Sequence, residues 1–412
     1  MFRFSRDIRL LFASMFTFAV AFGFYLFTFP IYARDLGASA VDLGLLFSIS
    51  FFANTAVAIP GGVLADRFDR KWLMVAGWAM CIPVPLMYIY ATTWQHLIPG
   101  LVIFNFSMFC MAAYQAYLAE QAEPGRLNAT FTFVYAGFPL GLSFSPVLGG
   151  YIGETWGMEP VFILSLIGYA VSTMFLLFLT PLPGKSEDQY QQSRHQHHHG
   201  QTTQRQQRRI RGRLWLPQGS LLQYGIVFAT AWFVINTALP FSSPFLEDVA
   251  GMGIGTIGLL GSIGAVAGGL VAPLVGYFAD RSNGLLLLAT TLLLTGISFS
   301  ILVIADGFAL IALAFVVRGA LESGRSLMGS VIGTAVDRAE AGKGYAFYNL
   351  AVGLGMAGGP YLGGWLYRMS PQVPFTLAAG LLVPIIALLF AMGRSQLLKE
   401  PSEACVTEPL PR

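Results

Sequence analysis

Three ionisable residues stand close together inside an otherwise apolar stretch: Arg318, Glu322 and Arg325, within residues 307–333. In one continuous helix the spacing i, i+4, i+7 places them on one face. Charges at bilayer depth are costly and mark substrate paths or proton relays. A guanidinium there can hold an anionic or polar part of a solute. A carboxyl raised by burial and lowered by a nearby Arg can trade its proton against substrate or conformation. The same spacing also fits a fixed intrahelical ion pair that only holds helices together. The neutral groups that could line the same path are Tyr25, Asn105, Gln115, Trp232, Asn236 and Asn349. Of these the amides matter most, because an amide in hydrocarbon needs a partner.

These residues must be held by membrane-spanning helices. The 412 residues are 55% hydrophobic and 11% charged, against about 25% charged in a soluble domain. A span needs about 20 mostly apolar residues. Candidates lie near 9–33, 41–65, 72–91, 96–119, 129–153 and 160–181, then 218–246, 254–278, 285–305, 307–333, 343–367 and 372–393. The run that follows Arg3, Arg6 and Arg9 is too long for a signal-peptide core, so it is expected to remain as the first span.

Six spans plus six agree with an internal repeat. Gly62-Val63-Leu64-Ala65-Asp66-Arg67 returns as Gly276-Tyr277-Phe278-Ala279-Asp280-Arg281, and Gly141, Pro146, Gly149 and Gly150 return as Gly355, Pro360, Gly363 and Gly364. Both offsets are 214 (280 − 66 and 360 − 146). The expected fold is an all-α membrane protein with twelve transmembrane helices in two pseudo-symmetric six-helix bundles. Its parts are residues 1–182, a cytoplasmic linker 183–216, residues 217–395 and a cytoplasmic tail 396–412. Repeats of this kind place a transport site at their interface.

Lys and Arg set the direction. With the N-terminus inside, inner segments hold 20 of the 24, and the outer loops hold only Arg34 and Arg368. Both termini are therefore expected in the cytoplasm, in a multi-pass protein of the plasma or inner membrane. The linker is Gln-rich and basic, with His195 and His197 to His199. It reads as a solvated connector whose arginines rest on anionic headgroups, or as a metal-binding His cluster. The three cysteines form no disulfide or zinc pattern. No Walker A, HExxH, CxxC or GxSxG pattern occurs, so neither ATP-driven transport nor membrane enzymology is expected. No cofactor and no metal are expected, and no basic stripe interleaved with aromatics points to nucleic acid.

Nearly the whole chain resembles the major facilitator superfamily (MFS). Gly62-x-Leu64-Ala65-Asp66-Arg67-x-x-Arg70-Lys71 matches that family's loop motif between spans two and three, with Asp69 where the family usually has Gly. Asp69, and Asn283 in the second copy, are expected to keep a left-handed turn. The resemblance implies a latch in which Asp66 accepts bonds from Arg70 and from a helix N-terminus of the other half. Glu120, Glu123 and Arg126, with Asp337 and Lys343 in the second half, would complete an inner ion-pair network, as would Asp280 and Arg281. Gly141-x-x-x-Ser145-Pro146-x-x-Gly149-Gly150 resembles the fifth-span motif of antiporters, with Ser145 replacing a Gly; the copy around Pro360 is complete. The Pro bends and Gly faces could seal one side of a cavity. The family's span-four arginine motif is missing.

The function expected is secondary active transport of a small organic solute by alternating access, with protons as the coupling ion. The fifth-span motif favours efflux. Uptake by symport, or a non-transporting receptor or scaffold, are the alternatives. A monomer is expected.

Overall fold

The computed structural model describes residues 4–123, 126–181, 219–279, 283–335 and 341–404. Every regular element among them is a helix. The linker 183–216 lies outside the described residues, as do Asp280, Arg281 and Asp337. The first half comprises α1 (Arg6–Leu26), α2 (Phe29–Asp35), α3 (Ala40–Arg67), α4 (Arg70–Cys81), α5 (Pro83–Ile89), α6 (Leu97–Ser107), α7 (Met111–Gln121), α8 (Leu127–Leu142), α9 (Ser145–Trp156) and α10 (Met158–Leu177). The second comprises α11 (Ser220–Ala238), α12 (Ser242–Asp248), α13 (Ile254–Ala279), α14 (Gly284–Ile304), α15 (Phe308–Arg318), α16 (Leu321–Ala335), α17 (Ala341–Met369) and α18 (Val373–Ala404).

Ten stretches of the described residues are long and apolar enough to cross a membrane, against twelve expected. The predicted tenth span is divided. After the apolar helix Phe308–Arg318 the backbone tightens to i→i−3 bonds at Gly319, Ala320 and Ser323, and polar residues follow. The predicted eleventh span lies within the 29-residue α17. Several spans are built from two helices. Pro30, Pro83 and Pro146 sit in the first turn of α2, α5 and α9, where a missing N–H costs nothing.

The turn at Asp69 differs from the expectation. Asp69 has φ −57° and Asn283 has φ −65°; neither is left-handed. Each caps the helix that follows. Asp69 accepts from the Trp72 N–H at 3.2 Å, and Asn283 from the Leu285 N–H at 2.9 Å. Asp and Asn are good N-cap residues, so capping accounts for both.

The repeat reappears as paired contacts between the halves. Gly44 of α3 lies against the Pro360 carbonyl of α17, and Gly258 of α13, one period on, against the Pro146 carbonyl of α9. A Cβ at either glycine would collide with that oxygen. A Pro ring opens the helical ladder around it, and in both places the next N–H crosses to the other half. Tyr361 N–H donates to Ser48 Oγ at 3.1 Å, and Val147 N–H donates to Ser262 Oγ at 3.1 Å. Ser48 and Ser262 are themselves one period apart.

Arg34 and Asp248, also 214 residues apart, meet at 2.8 Å. Repeat-related residues can touch only beside the pseudo-two-fold axis, so this pair marks it. Glu247 lies 3.4 Å from the same guanidinium, and the Tyr367 hydroxyl donates to Asp248 at 2.7 Å. These contacts lie toward the face opposite the N-terminus, the distal face; the other is the proximal face.

Gly258→Val should drive a branched side chain into the Pro146 carbonyl. We expect about 1–3 kcal/mol of destabilisation, read as a lower apparent Tm of the purified protein. Arg34→Asp should also lower Tm, and adding Asp248→Arg should recover most of the loss; no recovery would mean that the two charges do not interact as a pair.

Candidate functional site

Arg318 ends α15, where a cation complements the helix dipole. Its Nη1 donates to Ser242 Oγ of α12 at 2.9 Å, and its guanidinium lies 4.1 Å from the Phe315 ring centroid. Phe315 in turn stands 6.5 Å from Phe27, at the end of α1, and Phe27 fills the space beside Gly261 of α13. Arg318 is thus placed where the halves meet. At the break Gly319 approaches the backbone at Ala267 and Gly268 so closely that a Cβ would stand 2.6 Å from the Gly268 nitrogen. Arg318, Glu322 and Arg325 therefore do not share one continuous helix, contrary to the expectation. The backbone of Glu322 and Arg325 belongs to α16; their side chains lie outside the described residues.

Asn236 and Trp232 sit together on α11. Asn236 Nδ2 donates to the Trp232 carbonyl at 2.8 Å, while its Oδ1 is buried with no hydrogen-bond partner among the described residues. Trp232 Nε1 reaches Met328 Sδ at 3.1 Å and ties α11 to α16. Close approach of Gly359 to the Phe233 carbonyl and to Asn236 brings α17 against this pair. Asn349 on α17 and Gln115 on α7 are exposed.

Two expected lining residues are core instead. The Tyr25 hydroxyl meets the Tyr169 hydroxyl at 2.8 Å, and its ring packs among Phe29, Tyr88 and Phe162. Asn105 Nδ2 donates to Ser50 Oγ at 2.6 Å and to the Leu101 carbonyl at 2.9 Å, binding α6 to α3. The Tyr25 hydroxyl and the Asn105 amide nitrogen thus find their partners inside the first half, which is what burial demands.

On the proximal face Arg70 pairs with Glu120, joining α4 to α7, and Arg126 pairs with Glu123 at 2.8 Å. The Asp66 side chain lies outside the described residues; Arg67 is exposed at the end of α3. Sequence reasoning missed Asp7. It is buried, accepts from the Tyr117 hydroxyl at 2.9 Å and from the Thr180 N–H at 3.2 Å, and so gathers α1, α7 and the end of the sixth span.

It also missed the distal cluster, although the 214-residue period could have found Arg34 with Asp248 and Ser48 with Ser262. Burial opposes the charge on Arg34, but Asp248 outweighs it and leaves the guanidinium pKa above its ordinary value. Burial raises the Asp35 carboxyl, with neighbouring Arg34 pulling it back.

A family model described as Major Facilitator Superfamily matches residues 11–288 and 226–406. An uncharacterized MFS-type transporter of Methanocaldococcus jannaschii is 28% identical over 165 residues, 40% of this chain and 43% of its own length. Multidrug resistance protein MdtG of Enterobacter lignolyticus is 25% identical over 285 residues, 67% of this chain and 65% of its own. The chain thus spans less than two thirds of either relative. Among solved structures, nucleoside transporter NupG superposes with a TM-score of 0.75 at 16% identity, over 94% of this chain and 100% of that one. The paired seams, the membrane-length helices and the match over most of the sequence agree: this all-α, multi-pass membrane protein belongs to the major facilitator superfamily, a family of secondary transporters rather than enzymes.

Proposed function

We propose that this chain exports a small amphipathic organic solute in exchange for protons, by rocking of two six-helix halves, residues 1–182 and 217–395, about a midplane site. One observation carries the reading. Arg318 is bonded to Ser242 at the start of α12, the short helix that ends about 9 Å further on at Asp248 of the pair on the pseudo-two-fold axis, and the Phe315 ring beside it meets Phe27 of the first half. Side chains near that axis feel both halves, so a solute held there is sensed by whichever face is open.

The polar contacts described between the halves gather toward the distal face. They support an arrangement closed on that side. By the distribution of Lys and Arg, the distal face is the outside and both termini are cytoplasmic. Arg70 with Glu120, and Asp66 beside them in sequence, would then belong to the inner gate, which forms when the proximal face closes. The likeness to MdtG, over two thirds of this chain, supports export. The Pro-Gly seams fit a seal against leak in such a cycle.

Within the site, Arg318 would hold an electron-rich or anionic part of the solute, Phe315 and Trp232 would offer aromatic surface, and the Asn236 carboxamide oxygen would accept a donor. Glu322, a turn along from Arg318 in sequence, would carry the coupled proton. A proton leaving Glu322 toward the cytoplasm would restore the acid to its charged form, which would take up solute from inside; protonation of Glu322 from outside would then release that solute outward.

In proteoliposomes with an imposed pH gradient, the wild type should move a fluorescent amphipathic dye against its gradient as protons run the other way. The dye is to be chosen by the thermal stabilisation that it gives the purified protein. Glu322→Gln should lose gradient-driven accumulation and keep counterflow; accumulation at the wild-type level would remove Glu322 from the coupling role. Dye and protons moving together would replace export by symport. Arg318→Ala should weaken dye binding by about tenfold, as expected for loss of one charge-assisted hydrogen bond, measured by titration of folded protein; unchanged affinity would reject Arg318 as a ligand.

A further inference from the structure

The two seams that join the halves share one backbone geometry, but their helix ends are capped differently. In the first, α3 caps itself: Ser39 Oγ accepts from the Asp42 N–H at 3.2 Å, and Asp42 Oδ2 accepts from the Ser39 N–H at 2.9 Å. One period on, the residue before α13 is Gly253, which has no side chain to cap with, and the partner of Asp42 is Thr256. The missing acceptor comes from the other half. Glu154, near the end of α9, accepts from the Gly255 N–H at 2.8 Å. Gly255 is the second residue of α13, whose N–H an N-cap side chain normally takes. A Cβ at Gly253 or Gly255 would push the Glu154 carboxylate out of this position. The repeat partner of Glu154 is Arg368, whose guanidinium lies 5.6 Å from the Trp365 ring. The chain thus has a carboxylate where the bond crosses between halves, and an arginine where the facing helix already has its own cap.

We propose that Glu154 is a positioning residue of the transport cycle: a cap supplied in trans, which holds the distal side closed at the α9–α13 seam and must be released for that side to open. A carboxylate on a helix N-terminus combines a charge-assisted hydrogen bond with the favourable end of the dipole. Both are forfeited when α9 and α13 separate, and Gly253 cannot replace them from within α13. The α3–α17 seam loses no such bond, because its cap stays on α3. Opening therefore begins with unequal resistance on the two sides of the axis. The inference is independent of which solute or coupling ion is used.

The test is a distance measurement by double electron–electron resonance on the full chain in lipid nanodiscs. Spin labels are placed at Thr93→Cys and Asp306→Cys, exposed positions in distal loops of the two halves, after replacing Cys81, Cys110 and Cys405. Glu154→Ala should raise the long-distance, distal-open population about tenfold relative to the closed one, the scale of one charge-assisted bond. Glu154→Gln should shift it the same way by less, and it carries the test if the alanine variant fails to fold. Arg368→Ala should leave the distribution as in the parent. Adding Gly253→Ser to Glu154→Ala gives α13 its own cap, as Ser39 gives α3. It should restore thermal stability without restoring closure. Parent-like distances in both Glu154 variants, or closure regained with Gly253→Ser, would overturn the proposal.

Discussion

A carbonyl oxygen resting on a glycine Cα is the contact from which the rest of the assembly follows. At Gly44 against Pro360 and at Gly258 against Pro146, two helices approach until backbone touches backbone. In a bilayer the surrounding chains are as apolar as a leucine, so association relies on such close packing and on interhelical hydrogen bonds. Each seam has both. The proline opens the ladder, the next N–H is offered across the gap, and a serine hydroxyl takes it. Close packing along each seam and the single hydrogen bond across it from the residue after the proline hold the two halves together.

Symmetric packing is overlaid by asymmetric chemistry. The backbone contacts repeat after 214 residues, whereas the charges on the distal face do not: Arg34 answers Asp248, and Glu154 stands where Arg368 stands in the other copy. The buried polar groups follow the same division. In the first half, Tyr25, Asn105 and Asp7 are consumed by tyrosine, serine and backbone partners. In the second, the Asn236 Oδ1 has no hydrogen-bond partner among the described residues, and Arg318 donates to Ser242. A duplicated frame therefore supplies two seams alike in backbone geometry and unlike in their side chains.

Much of the fold was legible because membrane helices write themselves as long apolar runs and because one period fits two motifs. Ten runs were recovered as spanning stretches. The tenth predicted span was misread: periodicity sees Arg318, Glu322 and Arg325 as one face, but the helix breaks after Arg318, where Gly319 packs closely against α13. Asp69 was assigned the wrong physics, since a residue that tolerates a left-handed turn is also a good cap and sequence alone does not choose between them. Tyr25 and Asn105 look like lining groups in a one-dimensional reading; only the positions of Tyr169 and Ser50 reveal them as satisfied core. The distal cluster was within reach of the sequence, because Arg34 with Asp248 obeys the same period as the motifs, but charges at loop ends give no hydropathy signal.

The pair on the axis has a consequence for how copies recognise one another. Were two first halves to associate, arginine would face arginine; two second halves would bring aspartate to aspartate. Only a first half with a second half sets opposite charges together. A duplicated gene begins with interchangeable parts, and like charges across a contact are an effective way to forbid the wrong partner. Placing opposite charges at a spot where a position meets its own twin favours the pairing of unlike modules over that of like ones.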